Sequence, residues 1–234
     1  RINHKLFLLP RGIIGLPTAW TLAIVCVVTG MGAGIVLGRG FVALFGISIV
    51  LGVLYNLPPA RLKNRAAGGV LANAVGHGML TYLVGWYAAK CGVAIQDWSF
   101  WRAGLVSSLA PAFANGAVFL ATTIPDAPGD RETGKATFCV RYGERASAVT
   151  ALLLCAAAFA SSFWMQHNMW IMCVPAGVSL PLFAWLAISP RREAAFQTFR
   201  WPVMLLSITV VVVVPVYGVL MAATFLVSRA YYRL

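Results

Sequence analysis

The sequence predicts an all-α, polytopic transmembrane bundle forming a single domain over residues 1–234, and three observations carry that prediction. The 234 residues are 60% hydrophobic and only 10% charged, with a mean hydropathy of +0.82, whereas soluble domains carry roughly 25% charged residues. Seven apolar runs approach the roughly 20 residues a helix needs to cross the hydrocarbon core. The lysines and arginines fall unequally in the alternate gaps between those runs.

The first run, 18–37, carries Gly30, Gly34 and Gly38 at four-residue spacing, a pattern that lets another helix approach closely. No strand precedes it, so it is not a dinucleotide loop. The second, 41–57, is short and follows the tight turn Gly38-Arg39-Gly40, so the two helices should form a close hairpin. The third, 67–89, holds Asn73 and His77, four apart and therefore on one helix face, followed by Tyr82. The fourth, 102–123, contains Pro111 and Asn115. The fifth is 145–165. The sixth, 169–189, contains Pro175 and Pro181. The seventh, 201–227, contains Pro215. Prolines inside spans should kink them, with the freed carbonyls satisfied by neighbours, and broken helices around an internal cavity are expected. Asn73, His77 and Asn115 serve either as interhelical hydrogen-bonding contacts or as cavity lining. No Asp, Glu, Lys or Arg sits near the middle of any run, which argues against a pump, channel or charge-coupled transporter.

The net charge of +12 would point to nucleic acid in a soluble chain. In a membrane chain, basic residues in short cytoplasmic loops explain it, and no nucleic-acid partner is expected. One side of the seven-span arrangement holds Arg1, Lys5, Arg11, Arg61, Lys63, Arg65, Arg131, Lys135, Arg141, Arg145, Arg191, Arg192 and Arg200. The other holds Arg39, Lys90, Arg102, Arg229 and Arg233. The basic-rich side is predicted to be cytoplasmic, in a membrane of the bacterial inner-membrane type. The five cysteines (Cys26, Cys91, Cys139, Cys155, Cys173) show no C-x-x-C spacing. They read as small buried hydrophobes rather than disulfides or metal ligands. The chain opens at Arg1 without a methionine or a signal peptide, as the interior of a longer protein would.

The stretch "TTIPDAPGDRETGKATF", 122–138, gathers Asp126, Asp130 and Glu132 from only six acidic residues in the chain. Its Gly129-x-x-x-x-Gly134-Lys135 resembles a phosphate loop. That loop needs a preceding strand and a Ser or Thr after the lysine; here a membrane span precedes it and Ala136 follows Lys135. Carboxylates inside such a loop would also repel phosphate. Asp126 and Asp130 instead stand four apart, and on a helix they would share a face about 5–6 Å apart at Cβ. Pro125, Pro128 and Gly129 argue for local irregularity there. Two tethered carboxylates can share a magnesium ion completed by substrate phosphate oxygens; a solvated loop pairing them with Arg131, Lys135 and Arg141 is the plain alternative. On the same face, "LYNLPPARLKNR" (54–65) stiffens at Pro58-Pro59 and then presents Arg61, Lys63 and Arg65, cations suited to a leaving diphosphate.

Taken together, "YNLPPARLKNR" and "PDAPGDRETGKATFCVRYG" resemble two loops of the UbiA superfamily of intramembrane prenyltransferases, the second matching its Asp-x-x-Gly-Asp-x-x-x-Gly-Lys-x-Thr motif in order. The resemblance covers essentially the whole chain. It implies nine transmembrane helices around a central cavity. The implied reaction is magnesium-dependent transfer from an isoprenyl diphosphate to a lipophilic or aromatic acceptor, of the quinone-precursor or tetrapyrrole type, with release of diphosphate. It further implies that Asp126 and Asp130 hold Mg2+ and diphosphate, that Arg61 and Lys63 steady the diphosphate, and that Tyr55 lies near the allylic carbon. Lys135 and Arg141 are implied as further diphosphate contacts. Tyr55 and Tyr82 are candidates to stabilise an allylic cation. The family's first aspartate motif, Asn-Asp-x-x-x-Asp, does not occur here. In the family an Ile-Asn pair and a Pro-x-Gly-x-Ile run follow it closely, as Ile2-Asn3 and 10–14 do here. The chain is therefore expected to start just past that motif, with two more helices upstream. A non-catalytic subunit holding an isoprenoid or pigment within a larger membrane complex is the alternative reading.

Overall fold

The computed structural model describes residues 8–9, 12–89 and 97–232. The expectations resting on Arg1, Ile2, Asn3, Lys5, Arg11, Lys90, Cys91 and Arg233 lie outside the described residues. Helix α1 (Leu16–Leu37) runs into α2 (Arg39–Asn56) through Gly38, whose φ of 104° only glycine adopts without strain. The hairpin is as close as the glycine spacing predicts: an added Cβ at Gly34 would fall 3.2 Å from the Phe41 ring, and one at Gly30 would run into the Phe45 ring.

The third apolar run is helical throughout 66–89 but not uniformly α. Helix α3 (Ala66–Asn73) passes into a π-helical stretch, Ala74–Leu80, and then α4 (Thr81–Ala89). Six helices among the described residues are long and apolar enough to cross a membrane: α1, α2, α5 (Trp98–Glu132), α7 (Glu144–Ser162), α8 (Trp170–Ile188) and α9 (Arg192–Val213). The divided 66–89 rod stands beside them.

Two expectations change. Residues 125–129 are not irregular: α5 is continuous for 35 residues, through Pro111, Pro125 and Pro128. Packing overrides proline here. The Ala117, Leu120, Ala121, Ile124 and Ala127 face is buried against Ala148, Ala151 and Cys155 of α7, Phe183 and Leu186 of α8, and Ala194 and Ala195 of α9. Small residues let those backbones approach closely. The seventh run, 201–227, is two helices rather than one kinked span. Helix α9 starts earlier, at Arg192, and stops at Val214 (φ −126°, ψ 81°); α10 (Pro215–Tyr232) begins on the proline. Pro215 cannot donate to the preceding turn, and its fixed φ suits a first helical position.

A second core joins Leu44 of α2, Leu80, Leu83 and Tyr87, with Phe100 and Trp101 packed on it. Of the cysteines read as buried, Cys139 and Cys155 are buried, Cys173 is partly so, and Cys26 is exposed on α1, where lipid rather than protein would cover it.

Candidate active site at one end of the bundle

Helix α2 ends at Asn56, and the chain turns through Pro58-Pro59 to Arg61, which holds a left-handed φ of 38°. A short 3₁₀ turn (Leu62–Asn64) and an extended Arg65 lead into α3. From the other side, α5 carries Asp126 and Asp130 on its last turns, and Gly134 (φ 70°) turns the chain into Ala136–Thr137. These two segments pair: parallel bridges join Arg65 to Ala136 and Ala66 to Thr137. The short helix α6 (Phe138–Tyr142) then leads into α7. The backbone thus ties the two motif loops at one end of the bundle.

Within this frame each candidate has a definite place. Asp126 and Asp130 are one helical turn apart on α5, Asp126 half-buried and Asp130 buried. The Lys135 Nζ lies 2.9 Å from Asp130 Oδ1, and its backbone N–H donates to the Asp130 carbonyl at 2.9 Å. Lys135 is therefore engaged with the Asp130 carboxylate. The Lys63 Nζ donates to Asn56 Oδ1 at 3.2 Å and the Arg65 guanidinium to the Pro59 carbonyl at 3.2 Å, while Arg61 is exposed. Arg141 lies on the exposed face of α6 with its guanidinium 5.7 Å from the Tyr142 ring centre. Burial pushes the Cys139 thiol up, with a Ser147 hydrogen bond opposing it, so this cysteine beneath the loops is a packing residue rather than a nucleophile.

Tyr55 opens inward. It lines a cavity of about 420 Å³ with Ser48, Asn56, Asn73, His77 and Thr81. Asn73 Nδ2 donates to Tyr55 Oη at 3.3 Å and to the Gly69 carbonyl at 2.9 Å, so Asn73 makes an interhelical contact and lines the cavity at once. Asn115 and His77 line a second chamber deeper in the bundle. Tyr82 lines neither; its ring stacks on Trp86 at 6.1 Å. Sequence reasoning missed Asn56 and Ser48, although they stand eight apart on the Tyr55 helix, two turns along nearly one face. It also missed Asn64 and Thr137, whose side-chain oxygens are buried without partners at the loop junction.

A sequence model of the UbiA prenyltransferase family matches residues 2–209. The chain belongs to the UbiA prenyltransferase family. A curated relative, a probable homogentisate phytyltransferase 2, chloroplastic, from Oryza sativa subsp. japonica, is 25% identical over 147 residues, covering 62% of this chain and 38% of the rice protein. The match thus spans well under half of that relative's length. No solved structure gives a significant match. Membership agrees with the apolar helices in making this UbiA chain a multi-pass integral membrane protein.

Magnesium is the metal that membership brings into question. Among the described residues no group of three or more His, Cys, Asp or Glu side chains could hold a metal alone. The donor set nevertheless fits this use, because magnesium in diphosphate sites takes one or two carboxylates and completes its shell with phosphate oxygens and water. Asp126 and Asp130, one helical turn apart on α5, offer two such carboxylates.

Proposed function

We propose that this chain is a membrane prenyltransferase that joins an isoprenyl diphosphate to a lipophilic or aromatic acceptor, of the quinone-precursor or tetrapyrrole type, and releases diphosphate. The observation that supports the reading is the pairing of the Arg61–Arg65 loop with the segment after Asp130, which ties the loop carrying the cations to the end of the helix carrying the two carboxylates. Asp126 and Asp130 would hold the magnesium, which when bound supplies a Lewis acid for the leaving oxygens. Arg61 and Lys63 bind the diphosphate and stabilise charge as it leaves. The C–O bond of the allylic diphosphate breaks with its electron pair on oxygen, and the acceptor bonds to the allylic carbon. The Tyr55 ring faces the positive charge on that carbon, a cation–π contact worth up to about 2 kcal/mol when desolvated. The bundle excludes water that would otherwise capture the cation.

The test is transferase activity in isolated membranes, using isoprenyl diphosphates against phenolic and tetrapyrrole acceptors. Asp126→Ala and Asp130→Ala should each abolish product, and chelation of magnesium should do the same. Unchanged turnover in either variant would remove that residue from the site.

A further inference from the structure

Two chambers meet at one side chain. The polar cavity beside Tyr55 and an apolar chamber of about 170 Å³ between α5, α7, α8 and α9 share His77. The apolar wall includes Pro111, Val118, Met172, Phe183 and Leu206, and the polar groups facing in are His77, Asn115 and Ser179. Ser179 Oγ is already committed, donating to the Pro175 carbonyl at 2.6 Å. The Cys155 thiol, also in the wall, is directed at the Ala176 carbonyl at 3.6 Å. No Asp, Glu, Lys or Arg lines either space. His77 is exposed to these spaces and has no hydrogen-bond partner among the described residues.

The placement of His77 is built into the backbone. It sits in the π-helical stretch between two glycines. A Cβ on Gly78 would fall 2.6 Å from the Pro111 carbonyl oxygen and 2.8 Å from the Ala112 nitrogen, and one on Gly76 3.2 Å from Leu51. The glycines let this segment press on α5 and on α2, and the imidazole stands between. π-Helical turns are rare and concentrate at functional sites. An ionisable side chain inside a membrane bundle has the same tendency.

The chamber is large enough for a small aromatic occupant. A cavity of about 150 Å³ takes up benzene, so this one has room for a single substituted ring. We propose that the apolar chamber is the acceptor subsite, that it takes a single-ring phenol, and that His77 receives the phenol's hydroxyl proton. The proposal rests on the prenyl-transfer reading above. As the proton passes to a ring nitrogen of His77, the carbon beside the phenol oxygen bonds to the allylic carbon, and the allylic C–O pair leaves on diphosphate. The dienone regains aromaticity by moving its ring C–H proton to its oxygen. The imidazolium then releases its proton to water through the polar cavity.

The full chain, labelled with 15N-histidine and held in detergent, gives a binding readout that needs no turnover. The His77 ring signal is identified by its loss in His77→Gln. It should shift on addition of 4-methylphenol and stay put with 4-methylanisole, whose oxygen has no proton to give. In the transferase assay with homogentisate, His77→Gln should lower kcat by about 100-fold or more, the usual contribution of a positioned base. Its KM for the prenyl diphosphate should stay within about two-fold, because that binding is made elsewhere. His77→Asn, monodisperse in the same detergent, guards against misfolding and should behave alike. A His77 signal unmoved by saturating 4-methylphenol, or full kcat in His77→Gln, overturns the proposal. If the wild-type chain transfers no prenyl group, the prenyl-transfer reading fails, while the titration still decides the subsite by itself.

Discussion

At the level of single residues, the site divides into groups that a substrate would touch and groups that hold them. Arg61 is exposed on the loop that pairs with the segment after Asp130; on the proposed function Arg61→Ala should raise KM for the prenyl diphosphate by about ten-fold or more, the loss of one charge-assisted hydrogen bond, and steady-state kinetics in membranes reads this directly. Gly78 is a holding residue. Gly78→Ala puts a methyl against the Ala112 backbone, which cannot swing aside, and should cost about 1–3 kcal/mol, the range for overpacking. Gly85→Ala, with nothing within 4 Å of the added carbon, should leave the detergent melting temperature near that of the wild type. The four-residue spacing of Asp126 and Asp130 was legible in the sequence, but their place on one helix face was not, because Pro125, Pro128 and Gly129 argued against the helix that α5 forms there. The engagement of Lys135 with Asp130 was not, because a lysine five residues on reaches back only when Gly134 turns the chain. Asn64 and Thr137 were hidden for a related reason: their burial comes from pairing between segments some seventy residues apart, which no local pattern records.

At the level of elements, α5 does most of the positioning. Asp97 caps it, its carboxylate accepting from the Ser99 hydroxyl at 2.6 Å and from the Ser99 and Phe100 N–H groups at 3.0 and 3.2 Å. The Ser99 hydroxyl first, then the Phe100 amide, hold the Asp97 carboxyl below its ordinary range. A depressed carboxyl contributes stability above its unfolded value, and loses it as pH falls through the folded one. Asp97→Ala should therefore lower the melting temperature at neutral pH, and the gap from wild type should close in strong acid; thermal scans across pH check this. Apolar length predicted the segments well, since hydropathy over a membrane-sized window is a strong signal. The π-helical insert escaped, because one widened turn barely alters a sequence period. The unbroken course through Pro125 and Pro128 escaped too, because buried alanines facing α7 and α9 outweigh the missing donors.

At the scale of the whole molecule, charge asymmetry predicts which end meets the cytoplasm, and thiol labelling can check it. In a chain with its own cysteines replaced, a cysteine at Arg131 should be modified only from the cytoplasmic side of oriented vesicles, and one at Asn168 only from the other. The final consequence comes from the length of α5. Thirty-five residues make a helix about 52 Å long, against a hydrocarbon core of about 30 Å. Such a helix centred on that core would carry Asp126 and Asp130, on its last turns, to the height of the lipid headgroups rather than the acyl chains. On the proposed prenyl-transfer function, an isoprenyl diphosphate dissolved in the leaflet would present its head at that same depth and enter sideways without crossing bulk water. The quantity governing turnover would then be crowding in two dimensions. Diluting mixed micelles with plain detergent at fixed total substrate should slow the reaction, whereas diluting the whole sample with buffer at fixed micelle composition should leave the rate per protein almost unchanged.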